Sequence, residues 1–315
     1  MGSNGGDLIS VIMPCFNGGG FLEESINSVL LQSYKNFELI VVDDGSTDDS
    51  KFIINKFSDV RVKYIYQHNS GVCSARNNAL SLATGVYVAF LDADDKWHPD
   101  FIMKLHAAIN GNPKAVLAYC GWQNVGLPGA SGEPFIPPDY ESDNKLEILL
   151  GGCRWPIHAA LTRLNIVRSV GGFDFRYSTS EDYFLWLKVS SRGEISHVPE
   201  VLAYYIHHQD ERATSDRAKI AVNQWLVQKE FSSNDPEVIN KFGQRHLRNI
   251  VNGELLRRGY ECYWDRDFVA ARKIFWLLVK ARYGSLADWK YYILSFLPQF
   301  LHRSLSFLLK HEKKS

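Results

Sequence analysis

The chain has 315 residues, 45% hydrophobic and 22% charged, and its 35 basic and 35 acidic side chains give a formal net charge of zero. Such a length buries a large core, and the balanced charge gives no support to nucleic-acid binding as a main task. The five cysteines, at positions 15, 73, 120, 153 and 262, include no CxxC pair, which fits a reducing compartment better than a disulfide framework or a zinc site.

In chain order, residues 1–7 are Gly- and Ser-rich and are expected to be disordered. Residues 8–14 form a short apolar, partly β-branched run that reads as a buried strand, turned at Asn17-Gly18-Gly19-Gly20. A helix follows from about Phe21, with Glu23 and Glu24 in its first turn, where the macrodipole favours them. Strands are then expected over 38–42, 62–67, 86–91 and 115–120, and helices over 51–57, 72–82 and 99–110. Residues 121–156 read as a long loop, 163–170 and 181–190 as helices, and 198–207 as a strand. Beyond Thr214 only helical patterns remain, over 219–231, 236–258, 268–282, 289–296 and 298–314. This alternation predicts an α/β fold, Rossmann-like, with a mostly parallel sheet covered by helices on both faces, plus a C-terminal all-helical extension. No secretory signal precedes the first apolar run, and no stretch reaches the roughly 18 apolar residues of a membrane span, so a cytoplasmic chain is expected.

In such sheets ligands bind beyond the carboxyl ends of the strands. There the run Phe90-Leu91 meets Asp92, Asp94 and Asp95, carboxylates that repel one another unless something positive answers them. A hard divalent cation would do so, and so would a helix-capping turn before Pro99; the motif alone does not separate them. The same spacing in Asp265-Arg266-Asp267 lies just before a helix and reads as structural. Pro14, Phe16 and Asn17 end the first strand and can present a ring and backbone groups to a planar ligand. Asp44 offers a carboxylate to a base or ribose, and Arg76 could reach a pyrophosphate. Each has a plain alternative as a packed ring, a cap or a solvated cation; their convergence on one edge favours a ligand.

The stretches VIMPCFNGGGFLEESINSVLLQSYKNFELIVVDDGSTDDS, SGVCSARNNAL, FLDADD, GGFD and SEDYFLWLKV together resemble the family-2 glycosyltransferases, inverting enzymes of the GT-A fold. The resemblance spans about residues 8–210. It implies a catalytic domain over 8–213, with a nucleotide-sugar half at 8–120 and an acceptor half at 121–213, followed by a helical region at 214–315. It further implies a nucleotide-diphosphate sugar donor, a UDP-sugar being expected, and Mn²⁺ or Mg²⁺ as cofactor. By motif position, Pro14, Phe16, Asn17 and Asp44 would hold the nucleoside, Arg76 would face the diphosphate and Asp92 would lie by the ribose. Asp94 would be at the metal, with His207 or His208 helping. Asp182 would be the catalytic base, with Gly172, Phe173, Asp174 and Glu181 around the acceptor. Glu181-Asp182 also reads as an acid-rich first turn complementing a helix dipole.

The Gln-x-x-Arg-Trp motif of processive members is broken at Gln209-Asp210-Glu211-Arg212-Ala213, so transfer of one sugar per encounter is expected. The acceptor implied is a glycan or a lipid-linked precursor of a cell-surface polysaccharide. The tail sets Leu301, Leu305 and Leu308 against Arg303, Lys310, Lys313 and Lys314, which suits either an interfacial helix on an anionic membrane or packing on protein. Two other readings stay open: a sugar-nucleotide-binding protein without turnover, and a sugar nucleotidyltransferase.

Overall fold

A computed structural model describes residues 6–127, 129–177, 179–207 and 216–297. The chain divides into two compact units, one of Met1–Leu149, Cys153–Arg176 and Glu181–Asp210, the other of Leu150–Gly152, Tyr177–Ser180 and Glu211–Ser315.

The first unit opens with strand β1 (Ile9–Cys15), helix α1 (Leu22–Leu30), β2 (Phe37–Asp43), α2 (Ser50–Asn55), β3 (Val62–Tyr66), α3 (Val72–Leu82) and β4 (Tyr87–Phe90). Strands β1, β2 and β4 are buried along their whole length, as apolar runs covered on both faces must be. All pairings in the order β3-β2-β1-β4 are parallel. Helix α1 turns Leu22, Ile26 and Val29 inward and keeps Glu23 and Glu24 in its first turn.

The second half of the sheet is mixed. It comprises β5 (Lys96–Trp97), α4 (Phe101–Gly111), β6 (Ala115–Val125), β7 (Pro134–Phe135), α5 (Lys145–Leu150), β8 (Ala160–Arg163), α6 (Leu164–Ser169), α7 (Glu181–Ser190) and β9 (Glu194–Ile206). Strand β8 lies antiparallel between β4 and β6, β9 runs parallel to β6, and β5 closes the edge antiparallel to β9. Two reversals cancel, so β4, β6 and β9 all end on the same edge as β1 and β2. Within 121–156, expected to be loop, β6 continues to Val125 and pairs with β7. Gly121 makes that passage possible, because a Cβ there would stand 2.7 Å from the Phe135 carbonyl oxygen. Expected disorder over 1–7 does not reach Asp7, whose carbonyl accepts from the Tyr34 hydroxyl at 2.6 Å; residues 1–5 lie outside the described residues.

At the opposite edge, Glu38 is 5% exposed and accepts from Ser10 Oγ (2.6 Å), Lys63 Nζ (2.6 Å) and both the N–H and the hydroxyl of Thr84. Burial would raise its pKa, but these donors outweigh it and hold the carboxyl at about 2.

The second unit is helical: α8 (Arg217–Asn234), α9 (Pro236–Phe242), α10 (Gln244–Trp264), α11 (Phe268–Lys280) and α12 (Leu286–Ser295). Its core gathers Trp225, Leu255, Tyr263, Ile274, Phe275, Leu278 and Tyr292. The single helix expected over 236–258 is two, because Gly243 takes a φ of 77° between them. Asp265-Arg266-Asp267 is structural, as expected: Asp265 pairs with Arg217 at 2.9 Å and Asp267 caps α11 through the Ala270 N–H. No helix among the described residues is long and apolar enough to cross a membrane.

Candidate active site

The site is built on the carboxyl edge of the sheet. Pro14 is buried in β1 opposite Val42, while Phe16 projects beyond the strand, 54% exposed. Asn17, at a φ of 52°, accepts the Thr47 N–H on its side chain at 2.8 Å and donates its own N–H to Ser46 Oγ at 2.9 Å. The loops after β1 and β2 are thereby tied together.

Asp43 ends β2 and Asp44 follows it, both buried. Asp43 accepts from the Ser46 N–H and the Tyr64 hydroxyl. Asp44 accepts from Gln67 Nε2 (2.7 Å), the Ser70 N–H (2.8 Å) and the Gly71 N–H (2.8 Å). A carboxylate has about four lone-pair positions, so three donors leave one for a ligand. Asp44 therefore shapes the turn into α3 as well as facing the edge.

Arg76 is 3% exposed on the inner face of α3. It donates to Asp92 Oδ1 at 2.7 Å and to Glu181 Oε1 at 3.2 Å, and its guanidinium carbon lies 5.2 Å from the centre of the Phe173 ring. Burial works against its charge, but Asp92 and then Glu181 outweigh that and raise its pKa, so it stays a cation. Expected at a diphosphate, Arg76 here joins the turn after β4 to the start of α7.

Asp182, partly exposed in the first turn of α7, has its carboxyl raised to about 7, first by desolvation and then by the charge of Glu181. The Tyr183 N–H, which donates to Oδ1 at 2.6 Å, and Arg76 pull the other way without prevailing. A carboxylate near 7 is poised to exchange a proton at neutral pH.

The Gly172–Asp174 turn lies beneath this centre. Asn77 clamps Phe173 by both amide atoms, accepting its N–H at 2.9 Å and donating to its carbonyl at 2.8 Å. Gly172 has a φ of 64°, and a Cβ there would meet Asn77 Oδ1 at 2.6 Å. Phe173 is buried edge-on against Phe90, so it supports the site from below and does not line it. Asp174 is paired with Arg176 at 2.6 Å.

Asp94 is partly exposed between Asp92 and Asp95. Nothing in the sequence indicates what Asp95 does. Fully buried, it accepts the Ile206 N–H at 2.9 Å and stands 3.1 Å from Nδ1 of His158, itself fully buried. Burial lowers the His158 pKa to about 4, so its ring is neutral, and it stacks on Tyr205 with centroids 5.5 Å apart. Asp95 thus fixes the end of β9 to the turn after β4. His207 follows, with Nε2 3.1 Å from Asn124 Oδ1; His208 lies outside the described residues. No group of three or more His, Cys, Asp or Glu among the described residues is arranged to hold a metal. Asp94 alone suits a cation that takes most of its oxygens from a diphosphate and water.

Residues 10–146 match the family model described as Glycosyl transferase family 2. The chain is 32% identical over 232 residues to the Escherichia coli UDP-Glc:alpha-D-GlcNAc-diphosphoundecaprenol beta-1,3-glucosyltransferase WfgD, covering 72% of this chain and 87% of that one. It is also 32% identical to the putative teichuronic acid biosynthesis glycosyltransferase TuaG of Bacillus subtilis, covering 71% and 88%. In fold it resembles S. aureus TarS 1-349 in complex with UDP-GlcNAc, with a TM-score of 0.65 at 20% identity over 91% of this chain and 79% of that one. It also resembles the mannosyltransferase PcManGT from Pyrobaculum calidifontis in complex with GDP-Man and Mn²⁺, with a TM-score of 0.59 at 17% identity over 96% and 81%. The fold is GT-A with a helical C-terminal region. The chain belongs to glycosyltransferase family 2 and is a glycosyltransferase.

Proposed function

We propose that this enzyme moves one sugar, with inversion, from a UDP-sugar to a hydroxyl of a lipid-linked or glycan acceptor in cell-surface polysaccharide synthesis. The observation that carries the reading is Asp182, raised to about 7 beside the Arg76, Asp92 and Glu181 cluster. Asp182 takes the proton of the acceptor hydroxyl as that oxygen attacks the anomeric carbon. The bond from that carbon to the diphosphate breaks on the opposite face, and its electrons leave on the diphosphate oxygen. Asp94 is the residue that would hold Mn²⁺ or Mg²⁺, whose positive charge neutralises a leaving diphosphate when bound. Pro14, Phe16, Asn17 and Asp44 form the nucleoside side, and Gly172, Asp174 and Glu181 border the acceptor side. The relatives support this substrate class: one is named for a UDP-Glc donor and a diphosphoundecaprenol-linked acceptor, another for teichuronic acid biosynthesis.

A lipid-linked acceptor places the enzyme on the cytoplasmic membrane face. The expected tail anchor at 298–315 lies outside the described residues, but α12 carries a matching feature. Leu286, Trp289, Ile293 and Phe296, spaced three and four apart, are all exposed. Trp276 of α11 meets Phe296 edge-on, and Lys280 and Arg272 lie over these two rings. Apolar and aromatic side chains rimmed by cations suit an anionic interface.

The test of the transfer reaction is product stereochemistry. An α-linked UDP-sugar incubated with a prenyl-diphosphate GlcNAc acceptor should yield a β-linked product by NMR; an α-linkage would overturn inversion with Asp182 as base.

A further inference from the structure

Helix α3 has two working faces. Cys73, Arg76 and Leu80 lie on its buried face, where Arg76 meets Asp92 and Glu181. The flank bearing Ser74, Asn77 and Asn78 lines a groove of about 790 Å³ with Gln67, His68 and Phe175. That volume falls within the roughly 300–1,000 Å³ of small-molecule sites. Its lining is amide, hydroxyl, imidazole and one phenyl ring, with no carboxylate, lysine or arginine. A phosphate or a metal ion would find no formal counter-charge there at neutral pH, whereas a neutral polyhydroxyl ligand would find both donors and acceptors.

Phe175 gives the second half of the pattern. Its side chain is 81% exposed, yet the backbone around it is fixed. Phe173, two residues before, is clamped by Asn77, and the neighbouring Asp174 accepts from the Arg176 N–H and guanidinium. A hydrogen-bonded turn thus holds an apolar ring out at the rim of a polar groove. Only a ligand with an apolar face and a hydroxyl-bearing edge uses both, and a pyranose ring has them. The polar wall is organised in advance: Asn78 Nδ2 donates to Gln67 Oε1 at 2.8 Å, and Gln67 Nε2 donates to Asp44 Oδ1 at 2.7 Å. A ligand there orders little that is not already ordered.

We propose that this groove binds a neutral saccharide unit of the acceptor, stacked on Phe175 and hydrogen-bonded along the Ser74 and Asn78 flank. Asn77 adjoins Arg76, so the subsite shares a helix with the reaction centre and fixes the acceptor at a distance from the attacking hydroxyl. The proposal rests on the acceptor reading of the enzyme given above.

The experiment is saturation-transfer NMR on the full chain with UDP and diamagnetic Mg²⁺ in excess, using methyl glycosides of glucose and N-acetylglucosamine as probes. UDP binding is titrated separately. Saturation transfer to a glycoside should persist in excess UDP, vanish in Phe175→Ala and return in Phe175→Trp. A glycoside signal displaced by UDP places the sugar in the donor site and overturns the groove, as does a signal unchanged in Phe175→Ala. No glycoside signal from a chain that binds UDP overturns the groove alone. A chain that does not bind UDP overturns the UDP-sugar donor reading beneath it.

Discussion

Arg76 donates to Asp92 across 2.7 Å from a side chain only 4% exposed, so the turn after β4 and the inner face of α3 share one buried charge. The same guanidinium reaches Glu181, and its field lowers the pKa of neighbouring Asp182. Arg76→Met should therefore do two separable things. Leaving the carboxylates without their cation should cost about 3 kcal/mol, the lower part of the range for breaking such pairs, because Asp92 keeps some water. It should also move the limb over which kcat rises with pH upward from about 7. Denaturant titration checks the first, and a pH–rate profile with an unmoved limb would sink the second.

Asp182→Asn should lower kcat by about 10²–10⁴ while donor affinity stays nearly constant. Its stability effect has the opposite sign to that of a structural acid. A carboxyl raised from 3.8 to about 7 makes the folded state bind more protons than the unfolded one between those values. Stability therefore falls as pH rises through that window. Asn removes the penalty, so the variant should gain in Tm over the parent at pH 8 and lose that gain by pH 4. A variant with reduced Tm at pH 8 would mark Asp182 as a structural residue.

Glu181→Gln separates the neighbours. Glu181 raises the Asp182 pKa, so its neutralisation should shift the kcat limb to lower pH and cost far less in maximal rate. Equal losses in turnover from both substitutions would remove the distinction between base and neighbour.

The pH dependence of folding should also carry the signature of Glu38. With a folded pKa of about 2 against 4.5, its contribution is fully present above pH 4.5 and lost as pH falls toward 2. Glu38→Gln should cost about 2–3 kcal/mol at pH 7, and the gap to the parent should close by pH 2. A gap that stays constant down to pH 2 would count against this assignment.

If α12 faces a membrane, Trp289→Ser with Ile293→Ser should abolish co-sedimentation with anionic vesicles and spare transfer to a soluble acceptor. Both positions are exposed, so the unit should keep its Tm. A dimer that becomes a monomer, with vesicle binding unchanged, would assign the face to protein.

Strands β1, β2 and β4 were legible because each is an apolar run between polar turns, and burial on both faces demands that composition. Strand β8 was not: Ala160-Leu161-Thr162-Arg163 has no period, and only its place between β4 and β6 makes it a strand. The polar end of β6, from Trp122 to Val125, looked like loop for the same reason. At the site, residue types and loop positions pointed to Asp44 and Arg76, and the family resemblance to Asp182, but none of these pointed to their partners. That Arg76 binds Asp92 and Glu181, and that Asp95 meets His158, depends on contacts between residues far apart in the chain, which spacing does not encode.

The Asp95 bond to the Ile206 N–H closes a loop of 111 residues, and β5 pairs with β9 across a similar span. Pairings of β1 with β2 (Ile9 with Phe37) and β2 with β3 (Leu39 with Val62) are local by comparison, and local contacts form early because little chain entropy is lost in closing them. The β1–β3 part of the sheet can therefore form while the Asp92–Asp95 turn still lacks its anchor. Docking of β9, the step that completes the sheet, therefore also sets the Asp92–Asp95 turn.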